Sequence, residues 1–525
     1  MMNRKTPFTL FTLALFEVCA VYALFCGITD LADAKTYPFL RYGAAILLFA
    51  AMLSLAHLAK CVPWKKLASF WAGQESWAVA ALRGLLIAVL LLTSAILRIW
   101  VIRALPIVPS SDYQTYYQVA ELLAKGGLAS SGYAGYIAQF PHVIGYPFVL
   151  SLLFRLTGPS LQAGLCLNLA ACLCSVILVY RIARALGGRG TGIVALLAAA
   201  FWPSQILYGA ILGSEPVFVC MLLTCARLFI YLYQYPVKLE NREGAMYVCV
   251  ALGVALGLTN AIRPLATIFL IATALCLAPS VKRFDKSEQM LNGWLSRISC
   301  QGWFLALLVA ASFFITTSLI NAWIADVIGY ELPGSGVSFG YNLMVGLNIE
   351  AKGAWNQMDA EFFGAEFAAT NSAVAAHKAS LGIAMERLRN DPPVGLLNLA
   401  MEKFSHLWKN DDYGATWTAL FLEQQGDLSP ARQSIINVLA QWNDGFYLLS
   451  LFFSAVYAAR LFRRPTQSPA QVFVLLFVGV AALHMIVESQ NRYHYLMLPV
   501  FAILAALAVA DIINDRPGAG GSLNE

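Results

Sequence analysis

Long apolar runs recur along this 525-residue chain and constrain its fold more than any motif does. A segment of roughly 20 apolar residues can cross a bilayer, and inside lipid a lone segment satisfies its backbone hydrogen bonds only as a helix. About twelve segments qualify: 8–29, 39–59, 79–101, 162–181, 190–208, 216–233, 245–262, 265–280, 302–325, 441–460, 470–487 and 494–512. Residues are 59% hydrophobic and 12% charged, with a mean hydropathy of +0.66, so the expected class is an all-α polytopic membrane protein.

Sidedness follows from Lys and Arg in short loops, which stay cytoplasmic. Placing Arg4 and Lys5 inside also puts inside Lys60, Lys65 and Lys66, then Arg181, Arg184 and Arg189, then Lys238 and Arg242. Lys282, Arg283, Lys286, Arg297, Arg460, Arg463, Arg464 and Arg516 agree. The first span has no small-residue cleavage site behind it and reads as an uncleaved helix rather than a signal peptide.

This topology predicts four parts. Residues 1–78 form an N-terminal hairpin plus a cytoplasmic interfacial helix around Trp64, Phe70, Trp71 and Trp77; residues 79–325 form a core with a first external loop at 104–161. Residues 326–440 form one large extracytoplasmic loop, and 441–525 the last spans with a short cytoplasmic tail. The loop holds thirteen acidic against seven basic residues, a net of −6, leaving +12 on the rest of a chain whose total is +6. That distribution argues against nucleic acid as a partner. None of the eleven cysteines lies in the loop, and most sit in apolar spans, where they act as small hydrophobic residues.

Several loop segments read as surface helices. Residues 113–125 have helical periodicity but too many polar groups to span, and 143–156 are apolar over a length that suits an interfacial or re-entrant helix. A helix over 371–390 is stopped by Asp391-Pro392-Pro393, and Leu396 to Trp408 form an amphipathic run expected to lie on the membrane surface.

Polar residues at the external ends of apolar spans are the candidates for chemistry. Ser111-Asp112-Tyr113-Gln114 opens a surface helix, with Ser111 and Gln114 in capping-box register. Asp112 then either complements the helix dipole or carries function. Glu215, in Gly213-Ser214-Glu215-Pro216, repeats the arrangement at a second helix start, with the same two readings. Arg263 sits in a minimal external turn against the positive-inside tendency, so it needs a carboxylate, a lipid headgroup or an anionic ligand as partner. Glu488-Ser489-Gln490-Asn491-Arg492-Tyr493-His494-Tyr495 packs more hydrogen-bonding groups between two spans than a turn requires, and Arg492 offers a forked donor suited to phosphate. His142, either structural or a ligand contact, could donate to a phosphate. No Walker A, His-Glu-x-x-His or cytoplasmic dinucleotide fingerprint is present, so a group transferred outside must arrive on a membrane carrier.

In order and sidedness these motifs resemble the GT-C fold glycosyltransferases, integral membrane enzymes such as protein O-mannosyltransferases and lipid A aminoarabinose transferases. The resemblance runs from about 79 to 512 and rests on Ser111-Asp112-Tyr113-Gln114, Tyr146-Pro147, Asn168, Arg181 to Arg189, Gly213-Ser214-Glu215-Pro216, Arg263-Pro264, Gly353-Ala354-Trp355-Asn356 and Glu488 to Tyr495. It implies a sugar transferred from a polyprenyl-phosphate carrier to an extracytoplasmic acceptor (glycan, lipid, polymer or protein). It also implies Asp112 as catalytic base and Glu215 as second acid, although several relatives carry Asp there. Arg263, Arg492 and His142 would hold the donor phosphate, and Tyr113, Tyr146, Glu488, Gln490, Tyr493 and His494 the substrates. A divalent cation is left open. A flippase or transporter of lipid-linked sugars, an oligosaccharide ligase or polymerase, and a non-catalytic assembly protein are the alternatives.

Overall fold

The computed structural model describes residues 6–33, 77–234, 242–279, 301–334, 336–464 and 467–514, which contain helices and no strand. The expected span 39–59, the interfacial stretch around Trp64 to Trp71, and the basic residues Lys60, Lys65, Lys66, Lys238, Lys282, Arg283, Lys286, Arg297 and Arg516 lie outside the described residues. In chain order the helices are α1 (Pro7–Asp33), α2 (Trp77–Ala104), α3 (Ser111–Lys125), α4 (Tyr133–Gln139), α5 (Gly145–Thr157), α6 (Leu161–Gly187), α7 (Arg189–Ala200), α8 (Pro203–Tyr208), α9 (Glu215–Gln234) and α10 (Arg242–Ile262). They continue with α11 (Ala266–Leu277), α12 (Gly302–Ile328), α13 (Gly340–Gly346), α14 (Gln357–Thr370), α15 (Ala373–Asn390), α16 (Pro393–Trp408), α17 (Tyr413–Gln424), α18 (Pro430–Arg463), α19 (Gln471–Ile486) and α20 (Leu498–Asn514).

Among the described residues, eight segments are long and apolar enough to cross a membrane: α1, α2, α6, α9, α10, α12, α18, and the unit Asn491–Ile513 that joins a 3₁₀ turn to α20. Three expected crossings are instead shorter apolar helices, α7, α11 and α19. At about 1.5 Å per residue, the twelve residues of α7 fall well short of a hydrocarbon core roughly 30 Å thick. The expected single span 190–208 is broken because Trp202 turns extended and Pro203 opens α8, ending the hydrogen-bond ladder at Ala200. Arg98 resolves the break: its Nη1 donates to the Ala200 carbonyl at 2.9 Å, and Ser94 Oγ donates to the same oxygen at 3.1 Å. Arg98 is therefore fully buried at the end of a broken helix.

Close helix approach comes from small residues. Gly253 and Gly257, one turn apart on α10, sit against Val309, Ser312 and Thr316 of α12, where any Cβ would collide. Two expected domain boundaries fall inside continuous helices, since α12 runs past 325 to Ile328 and α18 starts at Pro430 under a Ser429 cap.

The surface helices α3 and α5 appear where periodicity placed them, and α15 and α16 flank the Asp391-Pro392 break. Ser110 rather than Ser111 is the N-cap of α3; its side chain makes no capping bond, and Ser111 takes a left-handed φ of +53°. The inner face of α16 buries Leu399, Lys403, Phe404, Leu407 and Trp408. Phe404 meets Tyr22 of α1 at 5.4 Å between ring centroids, so this face packs on protein instead of lying on lipid. Lys403 Nζ ties two helix ends together, donating to Gly346 O at 2.8 Å and Met485 O at 3.1 Å.

Candidate active site

The polar residues singled out in the loops converge at the end of the bundle covered by α13 to α17. The first locus pairs α3 with the turn after α19. Arg492, carried by the 3₁₀ turn Asn491–Met497, places Nη2 at 3.0 Å from Asp112 Oδ2 and Nη1 at 3.4 Å from the Tyr413 hydroxyl. Its guanidinium lies 5.9 Å and 5.6 Å from the ring centroids of Tyr413 and Tyr493. The cation is mostly enclosed, with 11% of its side chain exposed, while Asp112 keeps 39% exposed. Arg492 Nε is buried without a hydrogen-bond partner among the described residues.

A second carboxylate–arginine pair stands beside the first. Arg263, in the turn between α10 and α11, donates through Nη2 to Glu215 Oε1 and through Nε to Ser214 Oγ at 3.0 Å. Glu215 Oε2 is buried with no partner among the described residues. Gly213 is needed here: a Cβ at that position would stand 2.5 Å from Glu215 Oε2 and 2.9 Å from the Tyr208 ring.

Tyrosines bridge the elements around these pairs. The Tyr113 hydroxyl lies 2.9 Å from that of Tyr413 and 3.2 Å from that of Tyr208, linking α3, α17 and the end of α8. Burial pushes the Tyr113 and Tyr413 phenols up and raises Tyr116 to about 12, so all three are neutral hydrogen-bonding groups. Desolvation, with the Arg263 charge adding to it, lowers His142 to about 4. His142 is thus a neutral imidazole within the fields of Arg263, Asp112 and Arg492.

The Glu488 carboxylate accepts from Gln490 Nε2 at 2.6 Å and from the Tyr493 hydroxyl at 3.2 Å, and burial raises its affinity for a proton. This turn is docked on the segment 342–353 through its backbone: Glu488 N donates to Asn342 O at 2.9 Å and Ser489 N to Gly353 O at 3.0 Å.

Two expected substrate contacts point elsewhere. His494 is fully buried, its Nε2 3.2 Å from Asp411 Oδ1 and its ring between Trp408 and Tyr447. It therefore fixes the turn from behind. Tyr146 is also buried and donates to Asn168 Oδ1 at 3.0 Å, while Asn168 Nδ2 donates to Gly213 O at 2.9 Å. Together they shape the turn that presents Glu215. Among nearby tryptophans, Trp408 is core, Trp417 packs between Tyr413 and Phe421, and Trp355 is 53% exposed.

Sequence reasoning missed Tyr208, Tyr413 and Asp411. Asp411 accepts from Trp202 Nε1 at 3.0 Å and from the Ser204 hydroxyl, so it also anchors the α7–α8 break. Its signal was faint: two adjacent acids at the end of an amphipathic helix read as ordinary surface charge.

Among the described residues no three His, Cys, Asp or Glu side chains group as metal ligands; an arginine engages both Asp112 and Glu215, and Glu488 is held by Gln490 and Tyr493. This donor set does not fit a divalent cation.

No protein-family model and no curated protein sequence matches the chain. Among solved structures it is similar to the oligosaccharyltransferase of Archaeoglobus fulgidus in complex with Zn and sulfate, at 14% identity and a TM-score of 0.43, over 80% of this chain and 48% of that one. It is similar to AglB of the same organism, in complex with an inhibitory peptide and a dolichol-phosphate, at 14% identity and a TM-score of 0.41, over 82% and 50%. For ArnT from Cupriavidus metallidurans bound to undecaprenyl phosphate the identity is 16% and the TM-score 0.30, over 83% and 79%. The chain spans about half the length of the oligosaccharyltransferases it matches.

Proposed function

We propose that this chain is a GT-C type membrane glycosyltransferase that moves a sugar from a polyprenyl-phosphate carrier to an extracytoplasmic acceptor with inversion at the anomeric carbon. The observation that carries the proposal is the Asp112–Arg492 pair, a half-open carboxylate held against an enclosed, forked cation at one end of an apolar bundle. The acceptor oxygen bonds to the anomeric carbon as the bond from that carbon to the phosphate oxygen breaks. Asp112 takes the acceptor proton, and the electron pair leaves on the polyprenyl phosphate.

Arg492 and Arg263 offset the charge that develops on the phosphate, and neutral His142 donates a hydrogen bond. Glu215 keeps Arg263 aimed and uncoupled from bulk water. Glu488 and Gln490 line the sugar side, and the acidic outer region receives the acceptor. The reading is tested with purified protein in lipid, by polyprenyl-phosphate release from a panel of polyprenyl-phosphate sugars and acceptors. Turnover of one donor that disappears in Asp112→Asn supports the transferase. Transbilayer movement of a donor without turnover, or retention of configuration in the product, overturns it.

A further inference from the structure

We infer that α1 is a positioning element for Arg492, acting through a clamp that Gly27 and Asp30 close on residues 409 and 410. The activity arm of this inference rests on the transferase reading above; the structural arm does not.

The clamp has two parts on one face of α1. Gly27 lets the main chain of Lys409 approach closely, since a Cβ there would stand 2.6 Å from the Lys409 carbonyl oxygen. Three residues on, on the same face, Asp30 Oδ1 lies 2.8 Å from Lys409 Nζ, and Asp30 Oδ2 accepts from Asn410 Nδ2 at 3.0 Å. Aromatic contacts fix the height of α1 against the bundle: Phe16 meets Phe477 at 4.8 Å and Tyr22 meets Phe404 at 5.4 Å.

Beyond the clamp, the segment from Asn410 to Tyr413 is joined to the 3₁₀ turn by three side-chain links. Asn491 Nδ2 donates to both the carbonyl and the side-chain oxygen of Asn410 at 3.0 Å. His494 Nε2 faces Asp411 Oδ1 at 3.2 Å, and Arg492 Nη1 reaches the Tyr413 hydroxyl at 3.4 Å. The chain of contacts therefore runs from Asp30 to Asn410 to Asn491, and Asn491 is the neighbour of the arginine that holds Asp112. A helix serving only as a membrane anchor would need neither a glycine against Lys409 nor a carboxylate spanning two successive residues of this segment.

The full-length protein in lipid tests the inference, using backbone hydrogen exchange at 409–413 and 491–495 and the affinity for undecaprenyl phosphate. Wild type is compared with Asp30→Ala, Asp30→Glu, Gly27→Val and a control, Asp427→Ala, which breaks the unrelated pair with Arg432. Asp30→Ala and Gly27→Val are expected to speed exchange in both segments and weaken phosphate binding by about fivefold, with Asp30→Glu restoring most of both and the control changing neither. Wild-type exchange at 491–495 in both Asp30→Ala and Gly27→Val overturns the inference, as does a change confined to 409–413. If wild type binds no polyprenyl phosphate, the transferase reading falls, and the exchange data alone decide the role of α1.

Discussion

Arg492 Nη2 meets Asp112 Oδ2 at 3.0 Å although the two residues are 380 positions apart. The pair joins a surface helix near the start of the described bundle to the turn before its last span. Its partners have different environments, with the cation enclosed and the carboxylate partly open to solvent.

Replacing Asp112 with Asn keeps an oxygen that can accept from Arg492 but removes the proposed proton acceptor. Turnover is expected to fall by about 10²–10⁴-fold with thermal stability nearly unchanged. Polyprenyl-phosphate release and thermal unfolding, measured on the same preparation, check both halves.

Arg492→Lys retains charge yet cannot hold Asp112 and Tyr413 together, because an ammonium lacks the planar fork. Donor affinity is expected to weaken by roughly tenfold or more. A binding isotherm for polyprenyl phosphate reads this directly, and an unchanged affinity would remove Arg492 from the phosphate site.

Gly213→Ala introduces a methyl into the position that Glu215 Oε2 and Tyr208 require. Glu215 must shift, carrying Arg263 with it, and overpacking of this kind costs about 1–3 kcal/mol. The expected result is a lower unfolding temperature together with weakened donor binding, whereas Gly244→Ala, where a Cβ meets nothing within 4 Å, changes neither.

His142 titrates at about 4 in the folded protein, below its ordinary value of 6.5, chiefly through desolvation and then the Arg263 charge. The unfolded chain takes up this proton first, so stability falls as pH drops from 6.5 toward 4 and is unaffected by this group above that window. Unfolding temperatures measured from pH 7.5 to 4.5 should fall less steeply in His142→Gln than in wild type.

Lys403 is held at about 8 by burial, against an ordinary 10.5. Its folded form binds fewer protons across that interval, so its contribution to stability rises with pH between 8 and 10.5. Lys403→Met should abolish that rise and, by orphaning the Gly346 and Met485 carbonyls, cost roughly 1–3 kcal/mol per acceptor. A pH series of unfolding temperatures for both proteins is the check.

Asp112, Glu215, Arg263 and Arg492 were legible in the sequence because an ionisable group at the end of an apolar span stands out from its surroundings. The long spans were legible for the same reason. Tyr208 and Tyr413 were not, since tyrosines near span ends are equally expected of an interfacial belt. The inward turn of His494 toward Asp411 and of Tyr146 toward Asn168 was not legible either, because a motif shows which polar residues are present and not the direction each side chain takes. The break at Trp202-Pro203 was hidden within an apolar run, and its stabilising partner, Arg98, lies about a hundred positions away on α2.

The three phenols of Tyr113, Tyr208 and Tyr413 have a mechanical consequence. They knot together α3, the tail of a broken helix and α17, with Tyr113 as the shared member. Lifting α3 away parts both phenol hydrogen bonds and the Asp112–Arg492 pair at once. Moving residues 410–413 parts one phenol bond together with the links to Asn491, Arg492 and His494. Neither element shifts alone without releasing the arginine, so the knot works as a lock in which one displaced part frees the rest.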